Sequence, residues 1–350
     1  MTTQDNSPLP SGGPPELEKA RQGTSSMVVD EVDAEEFRAT IPTPFSVFDS
    51  VAFSQLNAAR AERIAFLVFR DRRPRFGLVV GEQRGVLKAP FSAPFACISA
   101  VFADEKTAPY AALGQSLAAY ARHRSMDRVR LTLPPNVYDE HHLSAVHNSL
   151  FLAAFQPTVV DLNFHYALDR FSESYEATLD IKARQKLRAA LRSGLSFEQT
   201  TDLDLTYRII QDNRAAKGYP LRMTLDGVRE TSRVVAVDCF VVRDANHTPV
   251  ASALLYHVRS SIVQLIYWGN VPDSDGLRPM NFLAFHLLAH YKSMGFTLLD
   301  FGPASENGIP NVGLCDFKRS IGCTASSKFT YELDVLRSSS AVALSTQHTQ

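Results

Sequence analysis

The segment from Asn281 to Cys323 constrains the fold most, because it carries the signals of a complete helix–strand–loop–helix unit. Apolar residues recur at helical spacing in its first part (Phe282, Phe285, Leu288 and Ala289). Gly295 follows them and favours the backbone conformation found just after a helix end. The short apolar run Phe296–Phe301 predicts a strand buried on both faces. A polar loop and a short basic helix follow, and this order is typical of α/β proteins.

Three features of this unit can contribute chemistry. Asp300 interrupts the apolar run, and because an unpaired buried carboxylate is costly, we expect it to have a partner. The loop contains Ser305 and Glu306, and the cations Lys318 and Arg319 come next. Together these groups can hold an anionic substrate. In the alternative interpretation Asp300 caps a loop and the cations are solvated.

The composition is that of a soluble globular chain. Its 350 residues suffice for two domains of ordinary size, with 45% hydrophobic and 21% charged residues. The formal net charge of −1 provides no overall attraction for DNA. No apolar run reaches the ~18 residues of a membrane span, and the N-terminus lacks the pattern of a secretory signal. We therefore expect a cytoplasmic protein without an integral membrane segment.

Metal and disulfide chemistry are not predicted. The cysteines are scattered, which favours free thiols in a reducing compartment (Cys97, Cys239, Cys315 and Cys323). His286 and His290 have a spacing compatible with a metal, but no third ligand accompanies them.

The chain divides into two segments with the same order of elements. Residues 1–33 are rich in Pro, Gly, Ser and acids, and residues 337–350 are similar, so both are predicted to be disordered. Residues 34–168 and residues 169–336 each contain helices, an antiparallel hairpin, a further helix and a final strand. We predict two domains with these bounds.

The stretch Ser172–Ser193 is predicted to be one helix ended by Gly194, and its second half is strongly basic. Five cations and no acid occur between Lys182 and Arg192. On a helical wheel Arg184 and Arg188 lie between Ile181 and Leu191, beside the apolar face, where guanidinium groups can bind phosphate or carboxylate. Lys186, from the same helix, is a further candidate for binding the substrate. The alternative is a solvated basic face whose aliphatic stems cover apolar neighbours.

Polar and aromatic residues occur at the ends of the second hairpin. Tyr256, Tyr267, Trp268 and Asn270 are candidates for binding a substrate. Because side chains alternate along a strand, Tyr267 and Trp268 should lie on opposite faces and only one can line a given pocket. The alternative is a core aromatic residue beside a solvent-facing one.

With these segments described, the chain resembles the FemAB-like branch of the GNAT superfamily of N-acyltransferases. Lys182–Gly194 resembles the basic helix of that family, and Asn281–Gly302 resembles its helix–glycine–strand step, which ends in Asp-Phe-Gly. Phe317–Gly322 resembles its Phe-Lys-Arg-x-x-Gly element. The three matches occur in the family's order and with its separations, and the likeness as a whole covers roughly residues 166–335.

The resemblance implies an α/β (α+β) fold with two tandem GNAT-like domains, each a mixed, mainly antiparallel sheet flanked by helices. The first domain would be degenerate, and the second would form most of the active cleft. The implied reaction transfers an acyl or aminoacyl group to an amine, with acyl-CoA or aminoacyl-tRNA as donor. Acceptors would be small, nucleotide-sugar or lipid-linked molecules of cell-envelope or polysaccharide biosynthesis. The family's acyl-CoA loop is replaced here by Ser274–Met280.

A mechanism follows as an expectation. The acceptor amine must lose a proton, and Asp300 or Glu306 is the candidate base. Backbone N–H groups of the strand Ile262–Asn270 and the Lys318 ammonium are candidate donors to the oxyanion. Four cations would hold the acceptor's phosphate or carboxylate: Arg184, Lys186, Arg188 and Arg319. Ser305 would lie near them.

Two alternatives come from other classes of protein. A non-catalytic protein of the same fold could bind an anionic precursor through the basic helix and would need no base. An RNA-binding module is the weaker alternative, because no strand rich in aromatic residues accompanies that helix.

Overall fold

The computed structural model of the protein describes residues 27–103 and 105–336. The predictions for residues 1–26 and 337–350 therefore lie outside the described residues.

The first half of the chain alternates short helices with strands. Its strands are β1 (Val28–Val32), β2 (Arg63–Arg70), β3 (Pro74–Gln83), β4 (Val86–Ala89), β5 (Ser99–Ala100), β6 (Arg128–Thr132) and β7 (Gln156–Ala167). Its α-helices are α1 (Ala34–Thr40), α2 (Val51–Leu56), α3 (Thr107–His123) and α4 (Glu140–Leu152).

The second half begins with four helices around one strand and continues with a hairpin. The helices are α5 (Tyr175–Thr178), α6 (Ile181–Leu191), α7 (Leu203–Ala216), α8 (Leu225–Thr231), α9 (Pro279–Ser293) and α10 (Val312–Ser320). The strands are β8 (Ser196–Thr200), β9 (Val237–Arg243), β10 (Pro249–Arg259), β11 (Ile262–Asn270), β12 (Leu298–Pro303), β13 (Ser305–Glu306), β14 (Ile309–Pro310) and β15 (Thr324–Asp334).

Both halves contribute to one continuous sheet. Its strand order is β1-β2-β3-β4-β6-β15-β7-β12-β11-β10-β9-β8, and β5 pairs with β3 beside this path. Among the described strands of this sheet, only the pairs β4–β6 and β11–β12 are parallel. The predicted α/β (α+β) class with mainly antiparallel pairing is confirmed.

The two halves exchange strands at the centre of the sheet. Strand β15, the last of the chain, pairs with β6 of the first half through Thr330–Asp334. Strand β7, which precedes the second half, pairs with both β15 and β12. Tyr331 and Leu333 of β15 are therefore buried in the core of the first half.

Three large apolar clusters stabilise this arrangement. In the first half, α3 and α4 cover the sheet around Leu117, Val129 and Leu150. In the second half, α9 is buried along its length and packs on the sheet through residues such as Leu283 and Leu287. A third cluster joins residues of both halves (Phe45, Phe95, Tyr138, Leu254, Tyr256, Ile262 and Leu298). Burial of each such side chain contributes roughly 1.5–3 kcal/mol.

The prediction of disorder over residues 1–33 is wrong for Val28–Val32. This segment is strand β1, and it pairs antiparallel with β2 at the edge of the sheet. Its acidic residues, which suggested a disordered composition, form ion pairs with arginines of β2: Asp30 contacts Arg70 at 2.6 Å, and Glu31 contacts Arg63.

The prediction of one helix over Ser172–Ser193 is also wrong in its continuity. Helix α5 ends at Thr178, and α6 begins at Ile181 after Asp180. The Asp180 carboxylate accepts the backbone N–H of Ala183 at 2.7 Å and thus caps α6. Only Leu179 and Asp180 separate the two helices. So short a break in the apolar periodicity cannot be recognised in the sequence pattern.

Candidate functional site

Strands β11 and β12 diverge near the middle of the sheet. They are paired only over Ile262–Gln264 and Leu298–Asp300. Beyond this point β11 continues to Asn270, paired with β10 alone among the described strands, so none of these strands pairs with the β12-facing backbone edge of residues 265–270. Gly302, with φ +73°, turns β12 away, and the register between β12 and β7 shifts there. The divergence therefore leaves backbone polar groups available beside the sheet centre.

Asp300 lies at the base of this divergence and is fully buried. Its Oδ2 accepts the Tyr138 hydroxyl at 2.7 Å and the Gln264 amide at 3.0 Å. Its Oδ1 accepts the Asn163 amide at 2.7 Å and the Gly302 backbone N–H at 2.8 Å. Four donors use the four lone-pair positions of a carboxylate. Asp300 thus has a partner, as expected, and it ties four separate segments together.

The partners of Asp300 leave two acceptor atoms without donors. Asn163 Oδ1 and Gln264 Oε1 are buried and have no hydrogen-bond partner among the described residues. Burial, together with the adjacent Asp300 carboxylate, raises the pKa of Tyr138 well above its usual value, so Tyr138 stays protonated and remains a donor.

Lys318 extends from α10 into the same region and is 2% exposed. Its ammonium donates to the carbonyls of Phe301, Gly302 and Pro303 at 2.7, 2.9 and 3.0 Å. Burial lowers the pKa of Lys318 to about 8, and the nearby Asp300 carboxylate opposes this shift. All three N–H bonds of the ammonium are used, so Lys318 fixes the turn that follows β12.

The aromatic candidates occupy both faces of β11. The Trp268 ring packs against Phe301 and Phe317, with ring centroids 5.4 and 5.6 Å away. Tyr267 lies on the opposite face, where the Arg214 guanidinium is 4.9 Å from its ring centroid. The predicted alternation is confirmed. Tyr256 is buried in the core that joins the two halves.

Asn270 closes the end of β11 rather than facing open space. Its side chain donates to Asp275 Oδ1 at 2.8 Å, and its backbone carbonyl accepts the Asn213 side chain of α7 at 2.7 Å. A Cβ on Gly269 would lie 2.7 Å from Asn213 Cβ, so glycine permits this close approach of strand and helix.

The loop before α9 differs from the family's acyl-CoA loop in its backbone and its charge. Three of its backbone N–H groups donate to carbonyls of the same loop (Ser274, Leu277 and Arg278), and two positions are prolines without an N–H (Pro272 and Pro279). Asp273 and Asp275 are exposed and add negative charge, and the exposed Arg278 is the cation of the loop. Phosphate sites at helix starts need free N–H groups and little negative charge.

The basic helix α6 lines a groove of about 770 Å³ that it shares with α10. Phe317, which packs on Trp268, also lines the groove, so the groove leads toward the divergence of the strands. Lys186 lines it and is exposed, as is Arg319 on α10. Neither forms an ion pair with any described residue.

Two of the predicted binding arginines are engaged within the protein. Arg184 donates to the carbonyls of Glu176, Ala177 and Leu179 at 2.8–3.1 Å and so holds α5 against α6. Arg188 forms an ion pair with Glu176 at 2.8 Å. These contacts hold two short helices together.

The hairpin β13–β14 follows the carboxyl end of β12. Ser305 donates to Asp161 Oδ1 at 2.7 Å and accepts the Leu162 backbone N–H at 2.7 Å, which fixes the hairpin to β7. Glu306 is exposed and forms an ion pair with Arg222. The structure thus brings Asp300, Lys318 and Trp268 together, places Glu306 and Ser305 beyond them, and directs Arg184 and Arg188 elsewhere.

No cluster of three His, Cys, Asp or Glu residues suited to a metal occurs in residues 27–103 and 105–336. His286 stacks on Phe197 and packs on Phe282, with centroids 5.2 and 4.2 Å apart, and His290 packs on Phe240 at 5.0 Å. The four cysteines are free thiols, as predicted.

Sequence reasoning missed Tyr138, Asn163 and Gln264. They lie 162, 137 and 36 residues from Asp300 along the chain. Gln264 was detectable as a polar residue in the apolar strand Ile262–Asn270, whereas no local pattern marks the other two.

Comparison with known proteins rests on structure. No protein-family model matches the sequence, and no curated protein matches it significantly. FemX superimposes with a TM-score of 0.64 and 12% identity, covering 87% of this chain and 96% of FemX.

Two further structures are similar. The C-terminal domain of a protein assigned as a lysylphosphatidylglycerol synthetase, from Agrobacterium fabrum, has a TM-score of 0.54 at 14% identity, with 86% of this chain and 92% of that domain covered. L-PGS from Bacillus licheniformis has a TM-score of 0.53 at 15% identity, with coverage of 85% and 91%. The protein therefore has the fold of FemX, which is the fold that the resemblance to the FemAB-like branch implies.

Proposed function

We propose that the protein is an N-acyltransferase that moves an acyl or aminoacyl group to an amine of a small, nucleotide-linked or lipid-linked acceptor. The observation that carries the proposal is the backbone edge of residues 265–269 on β11, which has no strand partner among the described residues and lies beside the buried groups around Asp300. Strand edges in a sheet interior are normally paired, because unsatisfied N–H and C=O groups are costly. A ligand carbonyl or amide that lies along this edge would satisfy them.

Acyl transfer requires donors aimed at the developing oxyanion. Backbone N–H groups of this edge are fixed by the pairing of β11 with β10 along its length, so they need no reorganisation during reaction. Lys318 cannot act directly while its three N–H bonds hold the turn after β12, but its charge, close to the same turn, favours negative charge there.

The attacking amine must also lose a proton. Asp300 already accepts four hydrogen bonds and has no lone pair left, so we assign it a structural role. Glu306 lies beyond the carboxyl end of β12 and is exposed, and among the described residues its carboxylate is bonded only to Arg222. We therefore assign proton acceptance to Glu306.

For the donor we propose an aminoacyl ester, as in aminoacyl-tRNA, instead of acyl-CoA. The loop before α9 contains two prolines, three N–H groups that are bonded within the loop and two exposed carboxylates, which disfavours a pyrophosphate. Structural neighbours whose name states the synthesis of lysylphosphatidylglycerol support aminoacyl transfer by this fold. They also support a lipid-linked acceptor in the cell envelope.

The test is a donor competition on the purified full-length protein. Radiolabelled acetyl-CoA and tRNA charged with radiolabelled amino acids are offered with nucleotide-linked amino sugars, muropeptide precursors and aminated lipids. We expect label to transfer from tRNA only. Glu306→Gln should lower kcat about 10²-fold, whereas Glu230→Gln, an exposed control on α8, should have no effect. Label transfer from acetyl-CoA would overturn the donor assignment and retain the reaction class.

The non-catalytic alternative is favoured by one observation: both Asp300 and Lys318 are saturated by protein partners. Such a protein would bind a precursor without turnover. Saturable precursor binding that is unchanged in Glu306→Gln, without transfer from either donor, would establish this alternative.

A further inference from the structure

Four aliphatic side chains are exposed where the hairpin β13–β14 meets β7. Val160 and Leu162 of β7 are 44% and 38% exposed, and Ile309 and Val312 are 74% and 66% exposed. We refer to these four residues as the aliphatic patch. Isolated exposed aliphatic residues are ordinary, but a group at one place indicates an interaction surface.

The backbone contacts bring these residues together. The Ala304 N–H donates to the Leu162 carbonyl at 2.8 Å, and a Cβ on Gly308 would lie 3.5 Å from the Val160 carbonyl. Val312 begins α10, three residues after Ile309. Val160 and Leu162 alternate with asparagine and aspartate and share their face with Phe164, which packs in the core beneath α10.

Cations border the patch across the groove between α6 and α10. The three cations are exposed, and none of them forms an ion pair among the described residues (Lys182, Lys186 and Arg319). Ile181, beside Lys182, is 71% exposed. The neighbouring acids are mostly occupied. Asp180 caps α6, and Asp161 accepts hydrogen bonds from Ser305 and Gly308. Glu176 forms an ion pair with Arg188, and Glu306 forms one with Arg222. Asp316 is then the exposed acid that lines the groove.

We infer that this surface docks on an anionic lipid bilayer. Aliphatic side chains gain by entering the interface between headgroups and acyl chains, while lysine and arginine beside them contact anionic headgroups. A surface for RNA would need aromatic stacking platforms, whereas the patch is aliphatic. No helix in residues 27–103 and 105–336 is long and apolar enough to cross a membrane, so the contact would be peripheral.

The aliphatic patch lies beside the groove that leads toward the candidate site. The groove between α6 and α10 opens beside the patch, and its wall residue Phe317 packs on Trp268 at the candidate site. Docking would thus hold this groove against the bilayer, where a lipid-linked molecule could enter. The inference rests on the surface itself and goes beyond the proposed transfer reaction.

The test is co-sedimentation of the full-length protein with two kinds of vesicle, without any substrate. One kind is phosphatidylcholine alone, and the other is equal parts of phosphatidylcholine and phosphatidylglycerol. We expect binding to the anionic vesicles only, weakened by salt. The double variant Ile309→Ser/Val312→Ser should bind at least about tenfold more weakly, and Lys182→Glu/Lys186→Glu should lose binding by a similar factor.

Matched controls lie in the first half of the chain. Val28→Ser changes a side chain that is 58% exposed on β1, and Lys106→Glu changes an exposed lysine before α3. Neither should alter binding. The inference is overturned if the anionic vesicles do not bind the protein at low salt, or if the serine variant binds as the wild type does. Reduced binding of tRNA with unchanged vesicle binding, in the lysine variant, would assign the surface to nucleic acid instead.

Discussion

At the scale of single residues, the candidate site is built from charged groups whose bonding is complete. Lys318 supplies three hydrogen bonds to consecutive carbonyls of the turn after β12. Lys318→Met removes all three in a buried position, so it should lower the free energy of unfolding by about 3 kcal/mol. Urea denaturation measures this loss. Lys186→Met on the exposed face of α6 is the control and should change it by less than about 0.5 kcal/mol. If Lys318→Met instead unfolds at the same urea concentration as wild type while turnover is lost, the lysine acts in the reaction and not in the fold.

Asp49 gives a second prediction, which concerns pH. It is 3% exposed and accepts hydrogen bonds from Ser46 and from the Cys97 backbone N–H, and burial raises its pKa to about 7. The folded protein therefore binds a proton between pH ~4 and ~7 that the unfolded chain has released. This group's contribution to stability is present below pH ~4 and falls as pH rises to ~7.

The measurement is the difference in unfolding free energy between wild type and Asp49→Asn at several pH values. The difference should shift against the wild type between pH 5 and pH 7, on the order of 1.4 kcal/mol per pH unit at most. A difference that is constant over this interval would show that Asp49 does not titrate there.

At the scale of elements, one glycine sets the divergence of β11 and β12. Gly302 has φ +73°, and its N–H donates to Asp300. Gly302→Ala should cost about 1–2 kcal/mol, because an L-residue is strained in this conformation, although the space around it is adequate. Gly276→Ala, in open space and without positive φ, is the matched control and should be neutral or slightly stabilising. Thermal unfolding of both variants tests this, and equal melting temperatures would contradict it.

Elements with a strong local pattern could be predicted from the sequence. The strand Ile262–Asn270 is found with the predicted ends, and Asp300 was marked by its place in an apolar run. The rest depends on contacts between distant segments. Tyr138 and Asn163 reach Asp300 from the first half, and no local periodicity encodes such a contact. Spacing marked Arg184 as a possible ligand-binding residue, yet it could not show that nearby carbonyls, and not a ligand, accept its hydrogen bonds.

At the scale of the whole molecule, the exchange of β7 and β15 makes the two halves parts of one sheet. An ordinary pair of domains shares few contacts and can unfold in two steps. Here β15 completes the core of the first half, and Asp300 of the second half binds Tyr138 of the first. The sheet should therefore unfold as one cooperative unit.

Two matched core substitutions test this cooperativity in the full-length chain. Leu131 of β6 and Leu283 of α9 are both buried, one in the core of each half. Leu131→Ala and Leu283→Ala should each cost about 2–5 kcal/mol, and each should move a single calorimetric transition as a whole. Leu336→Ala, at an exposed position, is the control and should leave the transition in place. Two transitions, of which each variant lowers only one, would mean that the halves unfold separately despite the shared sheet. A single transition that both variants lower would mean that the entire molecule stabilises the candidate site between β11 and β12. A core substitution in the first half would then destabilise this site as much as a core substitution in the second half.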